Sequence, residues 1–458
     1  MEGTTISGGQ MILGLVVGIA LLIFLIMRTK IHAFPALIIA AAVTGIVGGV
    51  PISQVNGMIT KGFGNTLASI GIIIGFGVMM GQIFEVSGAA ERMALTFLKT
   101  LGKKREELAL ALTGFVVSIP IFCDSGFVIL SPLAKALSRR TKKSVVSLGV
   151  SLAVGLVVTH SLVPPTPGPL GVAGIFDVNV GSFILWGIVL SLPMVLVSMA
   201  YAKWLGKRIY QLPGENADEW VRPPYQKPIA DVYEADEKKL PSAFMSFAPI
   251  VVPVILILIN TVLTALKTDD ILSQVMIFLG TPIIAVGIGL IIAIYGLTWK
   301  TPRKVTLQDM ETGIKSAGII ILVTGGGGAL GQVLRDSGAG DYIAKLIADS
   351  PLPAILLPFI VSSLVRLIQG SGTVAMVTAA SITAPIIATL GVNPLFAAIA
   401  ASMGSLLFSY FNDSYFWVVN RLLGIKEAKE QIRVWSFTST IAWAVGLMEI
   451  LIVNAIFG

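Results

Sequence analysis

Long apolar runs that alternate with short basic clusters are the feature that most constrains the fold. Apolar runs of about 17–25 residues are long enough to cross a bilayer as helices. Only 12% of the residues are charged and 55% are hydrophobic, whereas about a quarter of the residues in soluble domains are charged. The sequence therefore predicts an all-α polytopic membrane protein, with spans at 11–27, 34–50, 65–84, 144–163, 182–202, 243–266, 274–298, 316–334, 395–418 and 435–457.

The scarcity of metal-binding residues excludes several classes of function. Cys123 is the only cysteine, so an intramolecular disulfide and a multi-cysteine metal site are excluded. The two histidines form no HExxH zinc site, and no phosphate-binding loop or sizeable soluble domain points to an ATP-driven pump. The net charge of +7 comes from basic residues between apolar runs, which indicates a lipid bilayer rather than nucleic acid as partner. No cofactor or metal is expected.

The basic clusters also predict how the chain is threaded. Six groups of Lys and Arg separate the apolar runs, and the positive-inside rule places all six in the cytoplasm. Both termini are then outside, and the polar 203–242 loop is a solvated cytoplasmic linker. The first apolar run has no basic segment before it and no cleavage site after it, so we expect a retained span. A bacterial inner membrane is the expected location.

Two apolar regions, 108–134 and 352–390, do not fit as single crossings. Each is flanked on both sides by segments assigned to the same face, and two full crossings need about 40 residues. We therefore predict two re-entrant hairpins that enter from opposite faces. The alternative for each region is one long tilted helix or two short helices.

An internal repeat relates the two halves, 1–202 and 243–458. The motif GQIFEVSGAAERMA at 81–94 recurs as GQVLRDSGAGDYIA at 331–344. A hairpin follows each copy, and then comes a helix interrupted by polar residues, at 144–170 and at 395–418. The halves start from opposite faces, so the repeat has inverted topology, an architecture that places transport sites near the midplane of the membrane.

Asp124, near the middle of the first hairpin, is the leading candidate for the coupling group. An acid inside a membrane segment is costly and marks a functional site by default. A carboxylate that gains and loses a proton as the site changes face would carry protons; Asp413 is a second candidate. A structural acid that caps a hairpin helix is the alternative.

Arg366, inside the second hairpin, suits bidentate pairing with a substrate carboxylate. It could instead pair with Asp124 or Asp413, or extend to the interface. Polar and glycine positions at the hairpin tips and helix breaks complete the predicted substrate site: Ser125, Gly126, His160, Gln369, Ser371, Gly372, Thr373 and Asn412.

Three motifs are GQIFEVSGAAER at 81–92, IFCDSGFVILSPL at 121–133 and THSLVPPTPGPLGVAGIF at 159–176. With these motifs the chain resembles, over its whole length, the gluconate:proton symporter family of bacterial sugar-acid permeases. The resemblance implies uptake of a small hydroxy monocarboxylate such as gluconate together with a proton. It also implies an elevator-type fold, in which a transport domain with paired hairpins moves against a scaffold, typically in a homodimer.

Two departures from the family pattern lie at the predicted site. Gluconate-type members commonly have glutamate and valine where this chain has Asp124 and Ser125, and many have histidine where it has Thr166. Thr166 is therefore added to the substrate-binding candidates. Gluconate, a shorter aldonate, glycerate, a hexuronate and D-serine all stay open as substrates.

The sequence thus predicts a proton-coupled symporter, and two other functions stay open. One is a sodium-coupled carrier for di- or tricarboxylates on the same architecture. The other is an intramembrane enzyme of the aspartyl type, in which Asp124 and Asp413 would form the catalytic pair.

Overall fold

The computed structural model describes residues 8–102, 104–214, 219–226, 240–267, 270–337, 353–410 and 413–457. The elements before the linker are α1 Gly8–Met27, α2 Ala33–Val47, α3 Ile52–Ser87, α4 Ala89–Leu101, α5 Glu106–Val117, α6 Cys123–Thr141, α7 Val145–Leu162, α8 Pro167–Phe176 and α9 Val180–Arg208. A short hairpin of β1 Leu212–Pro213 and β2 Trp220–Val221 follows. The later elements are α10 Ala243–Leu266, α11 Ile271–Leu279, α12 Pro282–Leu297, α13 Arg303–Asp336, α14 Leu356–Gln369, α15 Gly372–Ile387, α16 Pro394–Gly404, α17 Ser414–Leu422, α18 Ala428–Gln431, a π-helix Ile432–Ser436 and α19 Phe437–Phe457.

The predicted fold class is confirmed: the protein is built of apolar helices, and each half contains a helical hairpin followed by an interrupted helix. Four described helical segments are long and apolar enough to cross a membrane, and six are if each bent pair counts as one span. Five further apolar helices in the described part of the chain are shorter, between 10 and 17 residues. Half-helices of this kind are expected where irregular backbone is buried in protein rather than exposed to lipid.

The two longest helices, α3 and α13, pack against each other in antiparallel directions at the centre. A Cβ on Gly62 would lie 2.4 Å from the carbonyl oxygen of Gly328, and a Cβ on Gly313 would lie 2.6 Å from that of Val78. When the repeat motifs at 81–94 and 331–344 are aligned, Val78 corresponds to Gly328, and Gly313 lies one residue from the position that corresponds to Gly62. The two contacts are therefore copies of one another, as inverted repeats require.

Each predicted hairpin region contains two helices joined by a short turn. In the first half, α5 and α6 are separated by residues 118–122, where Ser118 Oγ donates to the carbonyl of Ile121 at 3.1 Å. In the second half, α14 ends at Gly370, whose φ of +87° is readily adopted by glycine. Ser371 then caps α15, with its Oγ accepting from the backbone N–H of Val374 at 3.3 Å. Both turns bring a helix N-terminus to the hairpin tip.

Each hairpin is followed by an interrupted helix. The break between α7 and α8 is held by Thr166, whose Oγ1 donates to the carbonyls of His160 at 3.0 Å and Val163 at 2.8 Å. The break between α16 and α17 ends at Asp413, whose Oδ1 accepts from the backbone N–H of Tyr415 at 3.1 Å. These side chains satisfy backbone groups that the interruptions leave without helical partners.

Several elements differ from the sequence prediction. Helices α3 and α13 each begin 13 residues before the spans predicted at 65–84 and 316–334. The single span expected over 274–298 is two helices, α11 and α12, that meet at an angle of 67°. Helix α4, with a buried face that includes Ala89 and Met93, was not predicted. The 203–242 linker is not solvated throughout, because α9 continues to Arg208 and the side chain of Gln211 is buried and donates to the carbonyl of Leu423 at 2.6 Å.

Candidate functional site

The two hairpin tips and the two helix breaks surround one cavity of about 390 Å³, lined by both polar and apolar side chains. The N-termini of α6 and α15 open into it, as do the end of α7 and the start of α17. Among the predicted site residues, the cavity lining includes Asp124, His160, Arg366, Ser371, Gly372, Thr373 and Asp413. Residues that are distant in the sequence and lie in both halves are therefore brought together, as expected for a site at a repeat interface.

Arg366 and Asp413 form a buried ion pair at the wall of the cavity. The Nη2 of Arg366 lies 2.5 Å from Oδ2 of Asp413, and each residue is only 6% exposed. The Nη1 of Arg366 donates to the carbonyl of Gly370, which fixes the guanidinium to the hairpin turn. Its Nε has no hydrogen-bond partner among the described residues. The arginine therefore retains at least one donor for a further group.

Asp413 is fully engaged by its neighbours. Besides the bond to Arg366, its Oδ2 accepts from the hydroxyl of Ser409, and its Oδ1 accepts from the N–H of Tyr415. The Ser409 hydroxyl in turn accepts from Trp435 Nε1 at 2.8 Å. All three partners of the carboxyl group are donors, so the network is built around a carboxylate.

Asp124 has a different environment, with no cationic partner among the described residues. Its Oδ1 accepts from the Ser414 hydroxyl at 3.0 Å and its Oδ2 accepts from the Cys123 thiol at 3.6 Å. It lies in the first turn of α6, where the helix dipole favours a negative charge. Two neutral donors and a helix terminus can hold either the carboxylate or the carboxylic acid, which is what a proton-binding group requires.

His160 offers a further unpaired polar atom. Its side chain is 8% exposed and packs against Phe122, with ring centroids 5.5 Å apart. The buried Nδ1 has no hydrogen-bond partner within the part of the chain that the structure describes. Buried polar groups are normally paired, so this atom and Arg366 Nε are two polar atoms of lining residues that lack a partner among the described residues.

Five of the predicted site residues are not part of the described lining. The side chain of Ser125 lies within hydrogen-bonding reach of Glu85 on α3, and Gly126 packs so closely on α7 that a Cβ would lie 2.7 Å from Leu156 Cδ2. Thr166 is buried at the helix break. Asn412 and the side chain of Gln369 lie outside the described residues.

Several lining residues were missed by the sequence reasoning, and they form a hydroxyl-rich wall. They include Ser161, Ser405, Ser409, Ser414, Tyr415, Trp435 and Ser439. Some of them lie in the polar run that marked the second helix break, which was the available signal. No group of three or more potential His, Cys, Asp or Glu metal ligands occurs among the residues described.

The family model of GntP family permeases matches residues 10–456. The chain belongs to this family. The match confirms the resemblance seen in the sequence and identifies the chain as a multi-pass membrane permease. It also sets aside the intramembrane aspartyl enzyme, because the members of the family are permeases.

Two relatives and one solved structure show the extent of the similarity. The chain is 52% identical to an uncharacterized permease of Haemophilus influenzae, over 98% of this chain and 93% of the relative. It is 33% identical to the high-affinity gluconate transporter of Escherichia coli K12, over 96% of this chain and 98% of that one. The crystal structure of the YdaH transporter of Alcanivorax borkumensis shares the fold, with a TM-score of 0.61, 15% identity and coverage of 88% of each chain.

Proposed function

We propose that this permease is a proton-coupled symporter that imports gluconate or a related small hydroxy monocarboxylate across the bacterial inner membrane. The substrate class is supported by the Escherichia coli relative, which is named a gluconate transporter. Coupling to a proton is supported by the pattern of charges in the cavity. The loop charges support an orientation with both termini outside and the 203–242 linker in the cytoplasm.

The distribution of charge in the cavity carries the proposal. The described lining contains one guanidinium, Arg366, and two carboxylates, of which Asp413 is already paired. An anionic substrate would therefore meet the negative charge of Asp124. A proton on Asp124 removes this repulsion, and a proton together with a monoanion adds no net charge to the site that moves. Desolvated charge is costly in a membrane, so loading with both favours movement.

We assign the proton to Asp124 rather than to Asp413. Protonation of Asp413 would remove the negative charge that pairs with Arg366 and leave a buried guanidinium without a counter-ion. Protonation of Asp124 leaves the ion pair of the cavity intact, because the partners of Asp124 are the Ser414 hydroxyl and the Cys123 thiol.

Arg366 is the proposed anchor of the substrate carboxylate. Its Nε, which has no partner among the described residues, lets the guanidinium bind a second carboxylate while it stays bonded to Asp413. The N-terminus of α15, at Gly372 and Thr373, adds backbone N–H groups and a positive dipole end. His160 Nδ1 and the serine hydroxyls of the wall then suit the hydroxyl groups of the substrate.

The test of coupling is Asp124→Asn in proteoliposomes. Wild-type protein should accumulate labelled gluconate when the outside is made acidic, whereas the variant should exchange gluconate across the membrane without accumulating it. Glu311→Gln removes an exposed acid of α13 as a matched control and should behave as wild type. Normal accumulation by Asp124→Asn would overturn the assignment.

The alternative function, a sodium-coupled carrier, predicts a different driving force for uptake in the same vesicles. Uptake driven by a sodium gradient without a pH gradient would identify a sodium-coupled carrier instead. Competition by sugar acids, glycerate and D-serine against labelled gluconate would then rank the substrates. Failure of all monocarboxylates to compete, with inhibition by di- or tricarboxylates, would contradict the proposed substrate class.

A further inference from the structure

A second large opening lies away from the transport cavity, between the end of α9 and the start of the last helical segment. It is a groove of about 670 Å³. Its walls combine basic, aromatic and aliphatic side chains: Tyr201, Trp204, Leu205, Arg208, Ile209, Glu430, Arg433 and Phe437. These residues are distinct from the described lining of the transport cavity.

The groove carries two arginines, Arg208 and Arg433, that form no salt bridge within the described part of the chain. The carboxylate in the groove wall, Glu430, is already held by Arg222 through two bonds of 2.8 and 2.6 Å. Arg222 is itself fixed by Gln211, 2.8 Å from its Nε. The linker thus neutralises Glu430 and leaves the groove with excess positive charge.

The rest of the groove is apolar and exposed. Trp204 is 52% and Phe437 50% exposed. The Trp204 ring stacks on Tyr201 at 5.6 Å, and the guanidinium of Arg208 lies 5.5 Å from its centroid. Both walls are ends of helical segments long enough to span a membrane, Val180–Arg208 and Ala428–Phe457. Aromatic and basic side chains at such ends lie at the depth of lipid headgroups.

We propose that this groove is a binding site for an anionic phospholipid. The phosphodiester would be held between Arg208 and Arg433, because guanidinium groups bind phosphate oxygens in a bidentate manner. An acyl chain would run along Phe437 toward the membrane interior. Basic pockets between membrane helices are known to bind acidic headgroups, and the apolar wall distinguishes a lipid from free phosphate.

The groove is also connected to the transport cavity through the π-helix. Arg433 lies in this five-residue segment, Ile432–Ser436. From the same turn, Trp435 Nε1 donates to the Ser409 hydroxyl at 2.8 Å and the Ser436 hydroxyl donates to the Ser409 carbonyl at 2.5 Å. A lipid bound to Arg433 would therefore stabilise the turn that supports Ser409, a partner of Asp413.

The experiment compares two double variants of the full chain purified in detergent. Arg208→Gln with Arg433→Gln removes both groove arginines. Lys300→Gln with Arg303→Gln removes the same charge from another helix end, where Lys300 and Arg303 lie over Trp299 and Tyr295 outside the groove. Titration with phosphatidylglycerol or phosphatidylcholine, followed by native mass spectrometry and thermal unfolding, measures binding without depending on transport.

Wild-type protein should bind one phosphatidylglycerol roughly tenfold or more tightly than phosphatidylcholine, and its unfolding temperature should rise with bound lipid. The groove variant should lose both effects, and the Lys300/Arg303 variant should keep them. Equal loss in both variants would indicate general surface charge and overturn the site. Displacement of the lipid by millimolar inorganic phosphate would overturn its identity as a lipid site.

Discussion

The environment of Arg366 leads to a prediction with two separable readouts. Arg366→Gln should abolish gluconate uptake and destabilise the protein by about 3–5 kcal/mol, because Asp413 is left charged and buried without its partner. The double variant with Asp413→Asn should regain much of the stability but not the uptake. Thermal unfolding in detergent and vesicle uptake measure the two effects.

A matched control for this prediction is Arg421→Gln. Arg421 is an exposed arginine whose guanidinium lies over Trp417, 5.4 Å from the ring centroid. Its loss should change stability by no more than about 0.5 kcal/mol. If Arg366→Gln were as well tolerated as this control, the buried pair would have no structural or transport role.

Thr166 gives a second prediction at the residue scale. Its hydroxyl bonds to two carbonyls, those of His160 and Val163, and is buried. Thr166→Val keeps the shape and removes the donor, so it should lower the free energy of unfolding by about 1–3 kcal/mol. Thr166→Ser keeps the hydroxyl and should lose less. If the valine variant were as stable as wild type, the break would be held by other contacts.

At the element scale, the crossing of α3 and α13 depends on glycine. Gly62→Ala would place a methyl group 2.4 Å from the carbonyl oxygen of Gly328, so the two helices must separate. We expect a loss of about 1–3 kcal/mol, as for other overpacked cores. A methyl group on Gly64, two residues along the same helix, would meet no described atom within 4 Å. Gly64→Ala should therefore be neutral in the same thermal unfolding assay.

The elements that could be predicted from the sequence are those where a charged or polar residue lies inside an apolar run, at a cost in free energy. Charged and polar residues within apolar runs, together with loop charges, located the two hairpins and the two helix breaks. The bend between α11 and α12 was missed although Gly280 and Pro282 mark it, because the apolar run was assigned as one span from its length alone. The hydroxyl wall was missed because serines in membrane helices usually bond their own backbone, and only the tertiary structure brings Ser409 and Trp435 together.

At the scale of the whole molecule, the two halves contribute different chemistry to one cavity. The first half supplies Asp124 and His160, and the second supplies the Arg366–Asp413 pair. The bond from Ser414 to Asp124 joins the helix break of one half to the hairpin tip of the other. In the proposed mechanism, binding of proton and substrate would therefore involve both hairpins at once, which suits a site that moves as a unit.

The only cysteine of the chain allows this movement to be tested. Cys123 lies in the cavity lining beside Asp124 and is buried, so a thiol reagent reports on opening of the site without engineered cysteines. If the site moves between the two faces, a membrane-impermeant maleimide should label Cys123 from either side of oriented vesicles. Gluconate should slow labelling from both sides, because bound substrate fills the cavity. Cys123→Ser serves as the control for unspecific labelling.

Two outcomes would count against this view of the molecule. Labelling from one face only, under both pH gradients, would mean that the hairpins do not carry the site across the membrane. Labelling from both faces without protection by any sugar acid would mean that the cavity is not the substrate site.

The Asp124→Asn variant tests the role of the proton in this movement. If proton binding drives the return of the loaded site, labelling of Cys123 in this variant should no longer depend on the direction of the pH gradient.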